Sequence, residues 1–196
     1  MKIYSDVEQG TDEWKALRLG KFTASNFSDL FMGKKTQGYQ EAINKVVFER
    51  ITGQTPQEFS NKWTDRGSEL EPLALAAYSE RTFNLVERVA FAELNEWVGC
   101  SPDGLIGNVG MVQAKCPKYT TLMEYLISDS VPKDYLIQMQ GEMYVTGREW
   151  SDFWVWHPQF KPMLKRVERS ETVIKSIQDE LEIAIAEAER RIAKLK

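Results

Sequence analysis

The stretch Ser101–Pro117, SPDGLIGNVGMVQAKCP, holds one carboxylate, Asp103, and one lysine, Lys115, on either side of a glycine-punctuated turn over 104–110. After the turn, Gly110-Met111-Val112-Gln113-Ala114-Lys115 is a short apolar run whose alternation reads as a strand. Residues two apart on a strand share a face, so Gln113 and Lys115 point the same way. A hairpin over 104–110 brings Asp103 beside them. A carboxylate and a second oxygen ligand can hold a hard divalent cation such as Mg2+. A neighbouring lysine can orient or activate a water and offset charge at a phosphate. Short strings of this kind are common, and an ordinary hairpin with polar surface residues has the same letters.

Three other segments carry candidate chemistry. In LRLGKFTAS, Arg18 precedes a glycine turn and Ser25 stands near a helix start. An arginine and a hydroxyl at a helix N-terminus both bind phosphate, although a surface arginine and a routine cap are the simpler reading. In TDRGSELEP, Glu69 and Glu71 are candidate acids, or else acids stabilised by the helix dipole in a first turn. In DYLIQMQGEMYVT, Gln138 and Gln140 are more polar than a core face requires; solvent-facing glutamines are the common case. Trp63 reads as an anchor on the core, and the single histidine, His157, stands before Pro158 in a structural turn.

The elements that position these residues follow from periodicity and punctuation. Helices are expected over 11–18 with Thr11 as N-cap, 24–33 with Phe27, Leu30 and Phe31 on one face, and 39–52 with Ile43, Val46, Val47 and Ile51 inward and Gly53 at its end. A further helix begins near 69–71, with Pro72 in its first turn and Leu70, Leu73, Ala74, Ala77 and Tyr78 buried. Strands are expected over 83–91, 97–101 and 110–116, forming one antiparallel meander. Then come helices 119–128 and 134–146, the latter packing Leu136, Met139, Met143 and Tyr144 inward. Strands 150–156 and 163–167 pair with each other, and a helix over 171–195, capped by Ser170, carries one apolar stripe. This order favours a single α/β domain, residues 1–196, with a mixed sheet between helices.

Composition bounds the class. A chain of 196 residues, 42% hydrophobic, can bury a sizeable core. Two cysteines, Cys100 and Cys116, are too few for a disulfide scaffold or a four-cysteine metal site and read as small buried residues. One histidine excludes His-rich metal sites. No signal-peptide core and no apolar run of membrane-spanning length is present, so a cytoplasmic protein with no membrane association is expected. A net charge of −4 argues against a simple nucleic-acid coat protein, but not against a nuclease whose cations line one channel.

Five segments, LRLGKFTAS, RGSELEP, GCSPDGL, VQAKCP and the helix with IQMQ, occur in this order over residues 10–160. Together they resemble the lambda exonuclease (YqaJ) family of viral-type alkaline exonucleases, within the PD-(D/E)xK nuclease superfamily. The resemblance implies a restriction-endonuclease-like core, a central mixed β-sheet flanked by α-helices. It implies 5′→3′ digestion of one strand of linear double-stranded DNA with a 5′-phosphate to mononucleotides, in phage-type homologous recombination. Mg2+ would be the cofactor, with Mn2+ able to substitute. A homotrimer ring around the DNA and a single-strand annealing protein are the implied partners. Carried over by position, Asp103 matches the metal-binding aspartate, Lys115 the catalytic lysine, and Glu71 the acid of the Gly67–Pro72 segment. The main-chain carbonyl of Ala114 would be a further ligand. Arg18, assisted by Ser25, would grip the 5′-phosphate, and Gln138 or Gln140 would be the helix glutamine at the site.

One position departs from the pattern. Gln113 stands where the family has its second metal-binding acid, keeping the shape and deleting a charge. This reads as an inactivated variant, made to trap substrate; the competing reading is a natural member with an altered site. The rival functions are a DNA-end-binding module on the same fold and a structure-specific endonuclease of the same superfamily.

Overall fold

The structure, a computed structural model, describes residues 1–56 and 62–196, with side chains described outside 62–68. Trp63 and residues 66–68 of the RGSELEP segment therefore lie outside the described side chains. Among the described residues there are two sheets. The larger one positions the predicted site and has the order β3 (Val86–Glu87), β6 (Gly104–Ile106), β7 (Gly110–Lys115), β8 (Trp150–Val155), β9 (Met163–Glu168). Pairing is antiparallel except between β7 and β8, which run parallel with Gln113 opposite Phe153 and Lys115 opposite Val155. The smaller sheet has the order β1 (Lys2–Tyr4), β4 (Phe91–Glu93), β5 (Val98–Cys100), β2 (Phe22–Thr23). The chain is thus α/β with mixed sheets, as expected.

The larger sheet is covered on both faces. On one, α4 (Lys62–Thr82) packs Ala74, Leu75 and Tyr78 against Val112, Ala114 and Trp154. The other face takes Leu122 of α5 (Tyr119–Ser128) and Met139 of α6 (Lys133–Thr146) onto Phe153 and Val155. Strand β7 alternates between them. Val112 and Ala114 turn to α4; Gln113 and Lys115 turn to α6, where side chains of α6 meet both. A second core joins the smaller sheet to α3 (Gln37–Thr52), α6 and α7 (Glu171–Leu195) through Phe22, Ile43, Val98, Ile177 and Leu181. Gly141 of α6 allows Phe27 to approach the helix where any Cβ would collide with its ring.

Several boundaries agree with the sequence reading. Helix α1 (Asp12–Arg18) is capped by Thr11, whose hydroxyl accepts from the Trp14 amide. Gly53 ends α3 at φ +69°, and Ser170 caps α7. Others do not. The meander is split: β5 belongs to the smaller sheet and β7 to the larger, with the short strand β6 between them in sequence. The run 83–91 is likewise divided, β3 pairing with β6 and β4 with β1 and β5. Helix α4 starts at Lys62 and contains Pro72 in its interior, so Glu71 is not a first-turn acid. Proline removes one hydrogen bond there, yet packing of the following turns on the sheet carries the helix through. The helix expected over 24–33 shrinks to a 3-10 turn, Ala24–Asn26, and α2 (Phe27–Leu30). Phe31, Ile51, Leu73 and Leu136, expected inside, are exposed.

Candidate active site

Asp103 lies at the start of the β6–β7 hairpin, and the hairpin places it against the middle of β7, as the spacing predicts. Its Oδ2 accepts a hydrogen bond from the Ala114 main-chain N–H at 2.8 Å and another from the Gln113 side-chain amide. The other end of that amide, Gln113 Oε1, accepts from Gln138 Nε2 at 2.8 Å. Gln138 Nε2 also donates to Glu142 Oε1 at 2.8 Å, one helical turn further along α6. A chain of hydrogen bonds therefore runs Asp103–Gln113–Gln138–Glu142 with a carboxyl group at each end. Lys115 projects from the same face of β7, its Nζ 4.9 Å from the centre of the Tyr135 ring, and its charge is felt at Asp103, Glu71 and Glu142.

Burial dominates the electrostatics. Desolvation pushes the Asp103 carboxyl up; the Lys115 ammonium and the two hydrogen bonds oppose it. Glu71 on α4 is pushed up to about 7 by burial first and by the Asp103 charge second, although Arg88 pairs with it at 3.0 Å. Glu142 is 1% exposed, and burial followed by Asp103 raises it to about 8. Its Oε2 has no hydrogen-bond partner; among the described residues Ser151 Oγ is the only other buried side-chain atom in that state. Nothing in the structure accounts for Ser151.

Arg18 closes α1. It stacks over the Trp14 ring, its guanidinium carbon 4.6 Å from the centroid. Nη1 donates to Ser101 Oγ at 2.9 Å and Nη2 to Thr23 Oγ1 at 3.3 Å, and Thr23 in turn bonds Ser25. Trp14 Nε1 donates to the same Ser101 hydroxyl. The turn after α1 is held from α3: buried Glu49 accepts from the Gly20 amide at 2.7 Å, and Arg50 donates to the Gly20 carbonyl at 2.7 Å. An open cleft of about 1130 Å³ is lined by Trp14, Arg18, Thr23, Glu71 and Arg88 among others. Glu71 and its partner Arg88 line this cleft, and both interact electrostatically with Asp103.

Of the predicted residues, the fold brings together Asp103, Gln113, Ala114, Lys115, Gln138 and Glu71, while Arg18 lines the cleft with Glu71 and Ser25 bonds to Thr23 beside it. Gln140 is not brought in: it is buried, donates to the Glu168 carbonyl and accepts from the Ser170 amide, tying α6 to the β9–α7 junction. Glu69 is exposed. Glu142, Ser101, Thr23 and Arg88 were missed. For Glu142 a signal existed, since i and i+4 share a helix face and Gln138 was already a candidate. Cys100 is fully buried, its thiol pushed well up; Cys116 is half-buried, and no disulfide joins them.

Residues 13–149 match the model of the YqaJ-like viral recombinase domain. The chain belongs to the YqaJ family. No curated protein sequence matches it. Its fold is similar to that of an alkaline exonuclease, LHK-Exo, from Laribacter hongkongensis, with 34% identity over 94% of this chain and 96% of the other and a TM-score of 0.88. The same relative in complex with dAMP gives 36% identity, 95% and 96% coverage and a TM-score of 0.89. A phage related exonuclease from Haemophilus somnus 129PT shares the fold at 17% identity, covering 92% and 98% of the chains with a TM-score of 0.71.

The donor set of this YqaJ member suits a hard cation. Asp103 and Glu71 are carboxylates in a desolvated setting where one raises the proton affinity of the other, a repulsion that a dication relieves. Acidic charge is nevertheless short: among the described residues no three His, Cys, Asp or Glu side chains are gathered as a metal cluster.

Proposed function

We propose that this YqaJ protein is a Mg2+-dependent exonuclease, a single nuclease domain degrading one strand of linear double-stranded DNA 5′→3′ to mononucleotides. The observation that carries this reading is the grouping of Asp103, Gln113 and Lys115 around the β6–β7 hairpin, with Gln138 bonded to Gln113 and Arg18 lining the cleft that Glu71 also lines. Asp103, Glu71, the Ala114 carbonyl and the Gln113 amide oxygen would hold Mg2+, with Mn2+ able to substitute. When bound, the cation supplies Lewis acidity at the scissile phosphate and lowers the pKa of an attacking water.

The protein's own groups do the rest. Lys115 orients the water and offsets charge building at the phosphate. Arg18, braced by Trp14 and Ser101, takes the terminal 5′-phosphate through paired charge-assisted hydrogen bonds, with Thr23 and Ser25 hydroxyls beside it. To offer oxygen on the Asp103 side Gln113 must turn its amide over, because its nitrogen donates to Asp103 and its oxygen accepts from Gln138. We therefore propose that the Gln113 form is impaired, an inactivated variant of an otherwise complete site. The relative crystallised with dAMP supports a mononucleotide product. A cytoplasmic location, a homotrimer ring threaded by the DNA and a single-strand annealing protein as partner in recombination complete the proposal.

The test is digestion of a linear 5′-phosphorylated duplex in Mg2+ by the Gln113→Glu form. Release of mononucleotides from one strand agrees with the proposal. Stable end binding without cleavage makes the protein an end-binding module, and cutting of closed circular DNA makes it an endonuclease.

A further inference from the structure

Arg88 has no role in the chemistry described so far, yet it sits on one of the acids of the proposed cation seat. Its Nη2 donates to Glu71 Oε1 at 3.0 Å. A guanidinium carries five donors in a planar fork, and among the described residues no other hydrogen bond engages this one. The side chain is half-exposed and lines the cleft that Arg18 also lines. Its charge acts on Asp103 as well as on Glu71.

The backbone that carries Arg88 is held from two directions. Gln9 Nε2 donates to the Val89 carbonyl at 2.9 Å and to the Pro102 carbonyl at 3.2 Å. Trp14 Nε1 donates to the Ala90 carbonyl and to the Ser101 hydroxyl, at 3.0 Å each, and the same hydroxyl accepts from Arg18. Two side chains therefore stitch residues 89 and 90 to residues 101 and 102, which lead from the brace of Arg18 to Asp103. Arg88 is fixed in one frame with both.

Glu71 has two uses that compete. Its carboxylate belongs to the proposed donor set, and Arg88 already holds it. A guanidinium beside Asp103 and Glu71 is repelled by a dication seated there. Once off the carboxylate, in a cleft, its fork suits one class of ligand, the oxygens of a phosphate. We propose that Arg88 is a second phosphate-binding residue, which neutralises Glu71 while the seat is empty and turns to a backbone phosphate of the DNA strand in the cleft when Glu71 is given up to a cation. The terminal phosphate remains with Arg18. The inference rests on the proposed seat at Asp103 and Glu71, and it adds that filling the seat and holding the strand are linked.

The experiment measures two bindings at pH 8.5, above the value of about 7 to which Glu71 is raised. The full chain and its Gln113→Glu form are each compared with and without Arg88→Gln. Mn2+ affinity in the absence of DNA, followed by electron paramagnetic resonance, should rise about fivefold in Arg88→Gln, because a competing charge is gone. Affinity for a 5′-hydroxyl duplex, which offers Arg18 no terminal phosphate, is followed by fluorescence anisotropy. Arg88→Gln should lose about tenfold in Ca2+ and much less in EDTA, where Glu71 already holds the arginine. Adding Glu71→Gln should free Arg88 without a cation, so that the loss appears in EDTA too. Unchanged or weaker Mn2+ binding by Arg88→Gln, equal losses of DNA affinity in Ca2+ and EDTA, or a loss in EDTA that Glu71→Gln leaves small would each overturn the inference while the cation seat stands. No Mn2+ bound by any form would remove the seat and the inference together. DNA digestion by Gln113→Glu tests the nuclease reading by itself.

Discussion

Gln113 and Ala114, adjacent on one strand, both donate to the same oxygen of Asp103: the first through its side chain, the second through its main-chain N–H. The amide hydrogen of Gln113 thus occupies the side of Asp103 where a second acid would otherwise face it. A glutamate at 113 would have no proton to give, and two carboxylates would meet across the hairpin. Gln113→Glu is expected to raise Mg2+-dependent digestion of phosphorylated duplex at least about a hundredfold, in line with the cost of losing a major electrostatic contributor at an active site. Single-turnover rates with and without the substitution measure this. Equal rates would show that the cation is not seated here.

Lys115→Met removes the ammonium and keeps most of the stem. Loss of a group that stabilises charge only in the transition state lowers kcat by about 10²–10³. DNA binding measured in Ca2+ should change little. A variant that loses binding and turnover together would assign Lys115 to phosphate affinity instead.

Arg18→Gln should act on the DNA end. The ratio of digestion rates for 5′-phosphorylated over 5′-hydroxyl duplex is expected to collapse towards one, because the guanidinium that would read the phosphate is gone. The rate on hydroxyl ends should fall far less. A variant that keeps the full ratio would place end recognition elsewhere in the cleft.

In the absence of metal, stability should fall as pH rises. Glu142, raised to about 8, and Glu71, raised to about 7, hold protons in the folded chain that the unfolded chain releases near the ordinary carboxylate value. The folded state therefore binds more protons between the ordinary value and the raised ones, so stability declines across that window and levels off above it. For Glu142 the decline is on the order of 5 kcal/mol at most, from about 1.4 kcal/mol per unit. Urea titrations in EDTA at pH 5 and pH 8.5 should show it, and Glu142→Gln should remove the larger part. A pH-independent difference between the two proteins would contradict the buried acid.

Gly20→Ala tests the brace beneath Arg18. The residue has φ +68°, and an added Cβ would lie 2.8 Å from Arg50 Cγ. A cost of about 1–3 kcal/mol is expected from the left-handed backbone alone. If the turn shifts, the 5′-phosphate preference should weaken along with stability, as the same two assays report.

What could be read in the sequence was mostly local. Hairpin punctuation and a two-residue period were enough to put Asp103, Gln113 and Lys115 together, because both features act over a short stretch of chain. The long α7 stripe was equally plain. The division of 83–101 between two sheets was not, since Val86 and Phe91 look alike as strand residues and only distant partners, Ile106 and Tyr4, separate them. Pro72 read as a helix start because its missing N–H has a known local cost; the packing of Ala74 and Tyr78 that outweighs this cost is tertiary. The choice between Gln138 and Gln140 was open for the same reason. Alternate residues on a helix point apart, and only the positions of β7 and β9 decide which one meets the acid.

The serine that braces Arg18 stands two residues before Asp103, in the connection between β5 and β6. Two residues of extended chain reach about 7 Å, a span comparable to one step along a DNA strand. The residue that braces the phosphate grip and the residue that seats the cut would thereby be joined, on the proposed chemistry, through two peptide units. On the proposed chemistry, the length of each excised piece would be inherited from the peptide backbone, and lengthening the segment between Ser101 and Asp103 by one residue should blur it.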